Sequence, residues 1–191
     1  MKTNILKTVL LFAVIIFFNC SNNDDSIEQD QLPPITQTGA NTFGCVVNGK
    51  VIIPKDGIGV PQPKGINVYY FQNNNFVIDA ANLKDSNRDR IYLYVNNLTS
   101  TGTYSFGVSN GQGTSTFEPD FPHCWVRTFD NANGSKRYFS NLNSGSITVT
   151  YFDANNHIVA GTFQLTVANE NDTNDVIEIT EGRFDVNWIE L

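Results

Sequence analysis

The sequence has few of the side chains on which most catalytic and metal sites depend. Its 191 residues include two histidines, His123 and His157, which lie far apart in the chain. Cys124 follows His123 on a predicted strand, where neighbouring side chains point to opposite faces, whereas a zinc site needs three or four convergent ligands. No Gly-x-Ser-x-Gly elbow joins a predicted strand to a helix. These absences predict a protein that is not an enzyme and that uses no metal and no cofactor.

Long apolar runs are also scarce. Residues 9–18 form an unbroken apolar run of about ten residues, and lysines at positions 2 and 7 precede it. A positive start followed by a run of this length is typical of a secretion signal, whereas a membrane-spanning helix needs roughly 20 apolar residues. We therefore predict a signal peptide over residues 1–19 and no transmembrane helix in the mature chain.

Cys20 stands where such a signal would be cut. It follows Phe17-Phe18-Asn19 and precedes a polar and acidic run over residues 21–25. The segment resembles a bacterial lipobox, and the run after the cysteine resembles the export tag of Bacteroidota surface lipoproteins. The resemblance implies that acyl chains such as palmitate on Cys20 anchor the protein to the outer membrane of the cell envelope, with exposure at the cell surface as one arrangement. The alternative is a free cysteine beside an ordinary cleavage site.

The charge balance is acidic. The chain has a net charge of −7, and removal of residues 1–19 takes away two lysines and no acid, which leaves −9. A surface of this sign repels phosphate backbones and anionic lipid headgroups. We therefore expect no nucleic-acid partner and contact with the membrane through the lipid anchor alone.

The mature chain divides into a linker and one domain. Residues 20–41 hold the predicted lipidated cysteine and a polar segment that contains Pro33-Pro34 and shows no period of 2 or 3.6, which is typical of a flexible linker. Residues 42–191 carry short apolar segments separated by polar turns, and their length suits a single domain.

Period-2 alternation predicts that this domain is all-β. Asn48-Gly49 stands between two apolar runs, which is the strongest short-range signal of a β-hairpin. In residues 90–95, Ile91 and Leu93 alternate with Tyr92 and Tyr94, so that the two pairs face opposite sides of a strand. No sustained helical period occurs. We predict a single antiparallel β-sandwich of largely meander topology, with a partly closed β-barrel as the alternative.

Three segments carry a wider resemblance. Gly44-Cys-Val-Val-Asn-Gly-Lys50, Ala160-Gly-Thr-Phe163 and Ile179-Thr-Glu-Gly-Arg-Phe-Asp-Val186 resemble segments of uncharacterised Bacteroidota lipoproteins, whose families are defined as domains of unknown function. The resemblance supports the location and the fold. It implies no catalytic residues, because each segment is a hairpin signature.

Two oxygen-rich segments raise the alternative of a calcium site. Residues 85–89 place an acid or an amide at alternate positions, and residues 169–175 form a second cluster. Neither segment has the glycine and the distal glutamate of an EF-hand loop. Asn and Asp favour turns because they hydrogen-bond their own backbone, so we interpret both segments as solvated turns.

Consecutive and alternating aromatic residues are the best functional lead. Because neighbouring residues of a strand face opposite sides, some of these rings must lie away from the core of a two-layer fold. We predict that they form a face that binds a glycan or a protein, although simple cross-strand pairing of rings is the alternative. The predicted ligand-binding residues are Tyr69, Tyr70, Phe71, Tyr92 and Tyr94.

Three functions remain open at this point. The first is a non-catalytic binding or accessory module of the cell envelope, with a glycan or a protein as ligand. The second is a structural envelope component without a small ligand, and the third is a hydrolase with an unfamiliar constellation. Exposed contiguous rings favour the first, a uniformly polar surface the second, and a deep pocket with converging acids or histidines the third.

Cys45 and Cys124 form the one pair left once Cys20 is committed to lipid. An extracytoplasmic location permits disulfides, so we predict a bond between Cys45 and Cys124. In the chain-entropy model, a loop of this length would stabilise the fold by up to roughly 4–5 kcal/mol. The alternative is two buried thiols that act as small hydrophobic side chains.

The lipid anchor is tested by Cys20→Ala. We expect this variant to appear in the soluble fraction, because the acyl chains that hold the protein to the bilayer have no other attachment point. The measurement is fractionation of cells into membrane and soluble pools. A Cys20→Ala protein that stays with the membranes would contradict the prediction.

Overall fold

The computed structural model describes residues 30–84, 88–111, 119–130 and 134–191, and within them the chain forms eleven β-strands and no helix. Accordingly, this part of the chain has no helix with the length and apolarity to cross a membrane. The strands are β1 (Thr42–Val47), β2 (Lys50–Ile52), β3 (Ile66–Tyr70), β4 (Phe76–Ala81), β5 (Arg90–Val95), β6 (Gly102–Ser105), β7 (His123–Asp130), β8 (Gly134–Asp153), β9 (Ile158–Asn169), β10 (Val176–Asn187) and β11 (Ile189–Glu190).

All the strands belong to one hydrogen-bonded sheet. Its order is β11-β3-β4-β5-β7-β8-β9-β10-β1-β2, and β6 pairs with β8 beside this path. The pairs are antiparallel, except that β11 runs parallel to β3. The sheet is strongly curled into a half-barrel, which is consistent with the predicted sandwich or barrel. The all-β prediction is therefore confirmed, and the two runs β3-β4-β5 and β7-β8-β9-β10 are meanders, as predicted.

The predicted Asn48-Gly49 hairpin is present. Asn48 and Gly49 have φ angles of 47° and 82°, and the flanking strands pair with Val47 opposite Lys50. Both turn residues take the positive φ that a two-residue hairpin turn requires, which explains why this dipeptide predicts the turn.

Three breaks in register interrupt the long strands. In the β8–β9 pair they fall between Ser140 and Gly145 and between Val149 and Tyr151, and in the β9–β10 pair between Ile179 and Gly182. Extra residues of this kind bend a strand and increase its local twist. They account for how strands of 20, 12 and 12 residues follow the curl of the sheet instead of running straight.

The main core lies inside the curl. It is one cluster of buried side chains to which strands from both ends of the sheet contribute, including Phe43, Val68, Leu93 and Phe163. Because opposite ends of the sheet meet in it, the cluster fills the concave side, which we call the inner core. Ile91 and Leu93 of β5 belong to it, while Tyr92 and Tyr94 face the other side, as the alternation predicts.

The predicted disulfide is not present in this structure. Cys45 and Cys124 are free thiols, both 0% exposed, within the inner core. Burial raises the pKa of Cys45 to about 12, and burial together with the neighbouring Cys45 raises the pKa of Cys124 well above its ordinary value. Both therefore stay neutral and pack as small hydrophobic side chains, which is the alternative that the sequence left open.

The final part of the predicted linker, residues 30–41, packs against the domain. Asp185 of β10 is 1% exposed, and its carboxylate accepts hydrogen bonds from Thr36 Oγ1 at 2.7 Å and from the backbone N–H groups of Thr38 at 2.9 Å and Gly39 at 2.7 Å. Pro33 lies over Gly44 so closely that a Cβ there would overlap its ring. The flexible-linker interpretation therefore does not extend to residues 30–41.

The Asp185 contact makes a prediction about stability and pH. Burial raises the pKa of the Asp185 carboxyl, but hydrogen bonds from Thr36, Thr38, Gly39 and Ala40 lower it by more, so the pKa lies below its ordinary value. This contribution to stability is present above the unfolded-state pKa of about 3.9 and is lost as pH falls through the folded-state pKa. We expect Asp185→Asn to lower the free energy of unfolding at pH 7 by roughly 2 kcal/mol.

Urea unfolding of both proteins at pH 7 and below pH 4 is the measurement. The difference between wild type and Asp185→Asn should shrink as the pH falls, because the carboxyl is protonated first in the unfolded and then in the folded protein, which removes the stabilisation that the charge provides. Asp120→Asn is the matched control, since Asp120 is an exposed loop residue. Equal loss at both pH values would contradict a role for the charge.

Candidate functional site

A second apolar cluster lies on the convex side of the sheet. Strands β4, β5 and β7 contribute Val77, Tyr92, Tyr94 and Trp125, which are buried, and Tyr69, Phe71 and Phe139 pack against them with partial exposure. We call these seven residues the outer face. Because the inner core already covers the concave side, β4, β5 and the first half of β7 are buried on both faces.

The pairing register arranges this face in rows across the strands. Arg90 of β5 lies opposite Arg127 of β7, which lies opposite Arg137 of β8. These three residues are the arginine row. Two residues away on each strand, Tyr92, Trp125 and Phe139 form a parallel row in the same three strands.

The aromatic row lies beneath the two flanking guanidiniums. Tyr92 and Trp125 stack with ring centroids 5.2 Å apart and planes 10° apart. Arg90 lies over Trp125 with Cζ 5.7 Å from the ring centroid, and Arg137 lies over Phe139 at 4.8 Å. Each contact is a cation–π interaction, worth about 0.5–2 kcal/mol depending on its desolvation.

Arg90 and Arg137 also have polar partners. Arg90 forms a two-point ion pair with Asp79, whose residue exposure is 7%. Hydrogen bonding to Asp79 raises the pKa of Arg90 above its ordinary value. Arg137 donates a 2.8 Å hydrogen bond to the carbonyl of Gly111 and lies 3.6 Å from the carboxylate of Glu170.

Arg127, the middle member of the row, differs from its neighbours. In the part of the chain that the structure describes, its half-buried guanidinium has no hydrogen bond and no ion pair. Burial lowers the pKa of Arg127, and the adjacent Arg90 and Arg137 lower it further, while Asp79 partly offsets them. The guanidinium stays charged, because arginine does not lose its proton in proteins. Like charges directly opposite on adjacent strands are destabilising, so Arg127 is held at some cost in stability.

The segment that follows β6 covers one end of the outer face. Gly111 has a φ of 70° and sits against Arg137 and Phe139, where a Cβ would overlap both side chains. Glycine is therefore required there by its backbone angle and by the close approach. The segment brings Ser109 to β7, where Ser109 Oγ lies 2.9 Å from His123 Nδ1.

The Ser109–His123 pair deserves comparison with a hydrolase site, since Gly107-Val-Ser-Asn-Gly111 has the Gly-x-Ser-x-Gly spacing. The segment leads into no helix in the residues that the structure describes, and Ser109 Oγ accepts a 3.1 Å hydrogen bond from the N–H of Gly111. Ser109 is 5% exposed and His123 is 0% exposed. A nucleophile has to reach its substrate, so this pair, as it stands, is a buried structural contact.

One family model matches the chain. It covers residues 64–186 and is described as a domain of unknown function, DUF6252. The chain belongs to the DUF6252 family. No curated protein and no solved structure matches it. The DUF6252 match begins before β3 and ends within β10, so it includes all five strands of the outer face, while β1, β2 and β11 lie outside it.

The predicted ligand-binding residues of this DUF6252 chain fall into three groups. Tyr92 and Tyr94 are each 1% exposed, so the prediction that they contact a ligand directly is wrong: both faces of β5 are covered. Tyr70 packs against the inner core and donates a 2.6 Å hydrogen bond to the carbonyl of Leu98. Tyr69 and Phe71 are partly exposed members of the outer face, with ring centroids 6.4 Å apart.

A small cleft adjoins these residues at the end of β3. Its volume is about 240 Å³, and its lining consists of Tyr70, Phe71, Gln72, Asn74 and Leu191. The cleft brings together two of the predicted residues, Tyr70 and Phe71, with the polar side chains of Gln72 and Asn74 and the apolar side chain of Leu191.

The other predicted sites of the DUF6252 chain are placed as follows. Cys20 and residues 85–87 of the first oxygen-rich segment lie outside the described residues. In the second segment, Asp175 accepts hydrogen bonds from Lys136 Nζ at 2.8 Å and from Asn169 Nδ2 at 2.9 Å, as expected of a solvated turn. Across residues 30–84, 88–111, 119–130 and 134–191 there is no group of three or more histidines, cysteines or acids that could hold a metal ion.

The sequence interpretation did not single out the arginine row. Its local signal is present, since Arg90-x-Tyr92, Trp125-x-Arg127 and Arg137-x-Phe139 each place an arginine and an aromatic ring on one face of a strand. What the sequence does not give is the register that aligns the three pairs.

Substitutions of Asp79 and of Arg127, which lie on either side of Arg90, are expected to change the free energy of unfolding in opposite directions. Asp79→Asn should lower the free energy of unfolding by roughly 2 kcal/mol, less than the 3–5 kcal/mol typical of breaking a fully buried pair, because the Arg90 side chain is 35% exposed. Urea unfolding at low ionic strength measures this.

Arg127→Gln is the companion variant. At low ionic strength we expect no loss of stability and a gain of up to about 1 kcal/mol, because a like charge leaves the row. The gain should fade at high salt, since partly exposed charges are screened. A strongly destabilised Arg127→Gln would show that Arg127 has a stabilising partner, against this description.

Proposed function

We propose that this DUF6252 protein is a membrane-anchored lipoprotein of the cell envelope that acts as a non-catalytic binding or accessory module, with a glycan or a protein as its ligand. The outer face carries the proposal. Its partly exposed rings, Tyr69, Phe71 and Phe139, lie beside the arginine row on the side of the sheet that the inner core does not use. Aromatic rings and arginines are the side chains that dominate binding surfaces.

The anchor is supported by the sequence alone. Residues 1–19 have the pattern of a secretion signal, and Cys20 stands in a segment that resembles a lipobox. We propose attachment to the outer membrane through acyl groups on Cys20, with the domain facing the periplasm or the cell surface. A domain anchored through Cys20 suits a ligand of the envelope or its surface.

Binding is better supported than the alternatives. A structural component without a ligand would not need a charged and aromatic face whose central arginine lacks a partner among the described residues. A hydrolase would need an accessible nucleophile, and the Ser109–His123 pair is buried. The predicted absence of enzyme activity thus remains part of the proposal.

The proposal is tested with the full-length protein purified from membranes. Binding to a panel of neutral and acidic polysaccharides is measured for wild type and for Tyr69→Ala/Phe71→Ala. We expect the double variant to bind about tenfold more weakly, because loss of a binding-surface ring commonly costs more than 1 kcal/mol. For a protein ligand, a photo-reactive residue at position 69 in living cells should form one specific crosslinked product.

Tyr151→Ala is the matched control, since Tyr151 is a half-buried ring of β8 outside the outer face. Its binding should equal that of wild type. If the double variant and the control bind alike and position 69 forms no crosslink, the outer face is not the binding surface.

A further inference from the structure

The arginine row concentrates positive charge on an acidic protein. The chain has 19 acidic residues and 12 lysines and arginines, and five of the latter are arginines. Three of these five occupy one row across β5, β7 and β8. Strands lie about 4.8 Å apart, so the three side chains leave the backbone at close, regular intervals.

The surroundings hold the flanking arginines in place. Arg90 is fixed by Asp79 and Trp125, and Arg137 is fixed by Phe139 and by the carbonyl of Gly111. Side chains that are already ordered lose little freedom when a ligand binds. The row therefore offers preorganised guanidiniums at its two ends and an uncommitted one at its centre.

The local charge count leaves Arg127 unmatched. Asp79 neutralises Arg90, and Glu170 lies 3.6 Å from Arg137. Among the described residues no carboxylate forms an ion pair with Arg127, and the arginines on either side repel it. A bound oxyanion would supply the missing charge, and the planar fork of a guanidinium matches the oxygens of a carboxylate or a sulfate.

An exposed ring stands beside this charge. Residues two apart share a face of a strand, so Trp125, Arg127 and Phe129 lie in that order along one face of β7. Phe129 is 38% exposed. A guanidinium next to an exposed aromatic ring suits a ligand that joins an acid to a ring with an apolar face, as an acidic sugar does. An acidic peptide side chain offers the acid without the ring.

We propose that Arg127, flanked by Arg90 and Arg137, binds the carboxylate or sulfate group of an acidic saccharide whose ring packs on Phe129. The site is an oxyanion subsite of the outer face. It deepens the proposed function and rests on it for the source of the ligand.

The experiment is calorimetric titration of the full-length protein with an oligouronate, a sulfated oligosaccharide and a neutral oligosaccharide of the same length. We expect at least tenfold tighter binding of one acidic oligosaccharide than of the neutral one, with affinity that falls as sodium chloride is added. Which of the two binds better distinguishes a carboxylate from a sulfate ligand.

The variants separate charge from geometry. Arg127→Gln should lose tenfold or more in affinity for the acidic oligosaccharide, and Arg127→Lys should recover only part of it, because lysine lacks the fork. Phe129→Ala should weaken binding of the acidic oligosaccharide but leave the salt dependence of that binding unchanged, because the charge of Arg127 remains. Arg183→Gln is the matched control: it removes an arginine from β10, outside the row, and should stay within twofold of wild type. Thermal unfolding checks that each variant is folded.

Several results would overturn this inference while leaving the proposed function standing. One is equal binding of neutral and acidic oligosaccharides with no effect of Arg127→Gln. A second is Arg127-dependent binding of polyglutamate without binding of either acidic oligosaccharide, which would replace the saccharide by an acidic peptide. A third is no binding of any of these anions while position 69 still crosslinks to a protein. If position 69 forms no crosslink and no polysaccharide of the panel binds, the proposed function is contradicted as well.

Discussion

Side-chain alternation across β4, β5 and β7 is the constraint on which the rest of the structure depends. Ile91 and Leu93 enter the inner core, while Tyr92 and Tyr94 enter the outer face. Because both faces of these strands are largely apolar, a slip of one residue would exchange aliphatic side chains for aromatic and charged ones. The register is therefore fixed from both sides, and it is the register that aligns Arg90 with Arg127 and Arg137.

The curl of the sheet gives its two sides different roles. The concave side closes on a cluster drawn from strands at both ends of the sheet, and this burial supplies most of the driving force for folding. The convex side has no such need, yet it carries stacked rings and three arginines. Like charges in adjacent strands oppose folding, and Asp79 and the rings beneath Arg90 and Arg137 offset that repulsion more for the two outer arginines than for Arg127. A residue that lowers the stability of the fold, as Arg127 does, is typical of binding sites, where function and stability compete.

The N-terminal segment joins the proposed anchor to an interior strand of the sheet. Residues 36–40 surround the carboxylate of Asp185, and Asp185 lies in β10 between β9 and β1. A pull from the membrane would therefore reach the fold at an interior strand with hydrogen-bonded neighbours on both sides. The outer face belongs to β3, β4, β5, β7 and β8, so the tether and the proposed binding surface use different strands.

The sequence by itself determined the class of fold, the Asn48-Gly49 hairpin and the two faces of β5, because period 2 and turn chemistry act over a few residues. It did not determine which of Tyr69, Tyr70, Phe71, Tyr92 and Tyr94 reach solvent, nor that residues 30–41 pack on Asp185, because burial depends on elements distant in the chain. The state of Cys45 and Cys124 and the arginine row were decided by the tertiary structure. Arg90, Arg127 and Arg137 each lie two residues from a ring in the sequence, but only strand pairing, which joins residues tens of positions apart, makes them one row.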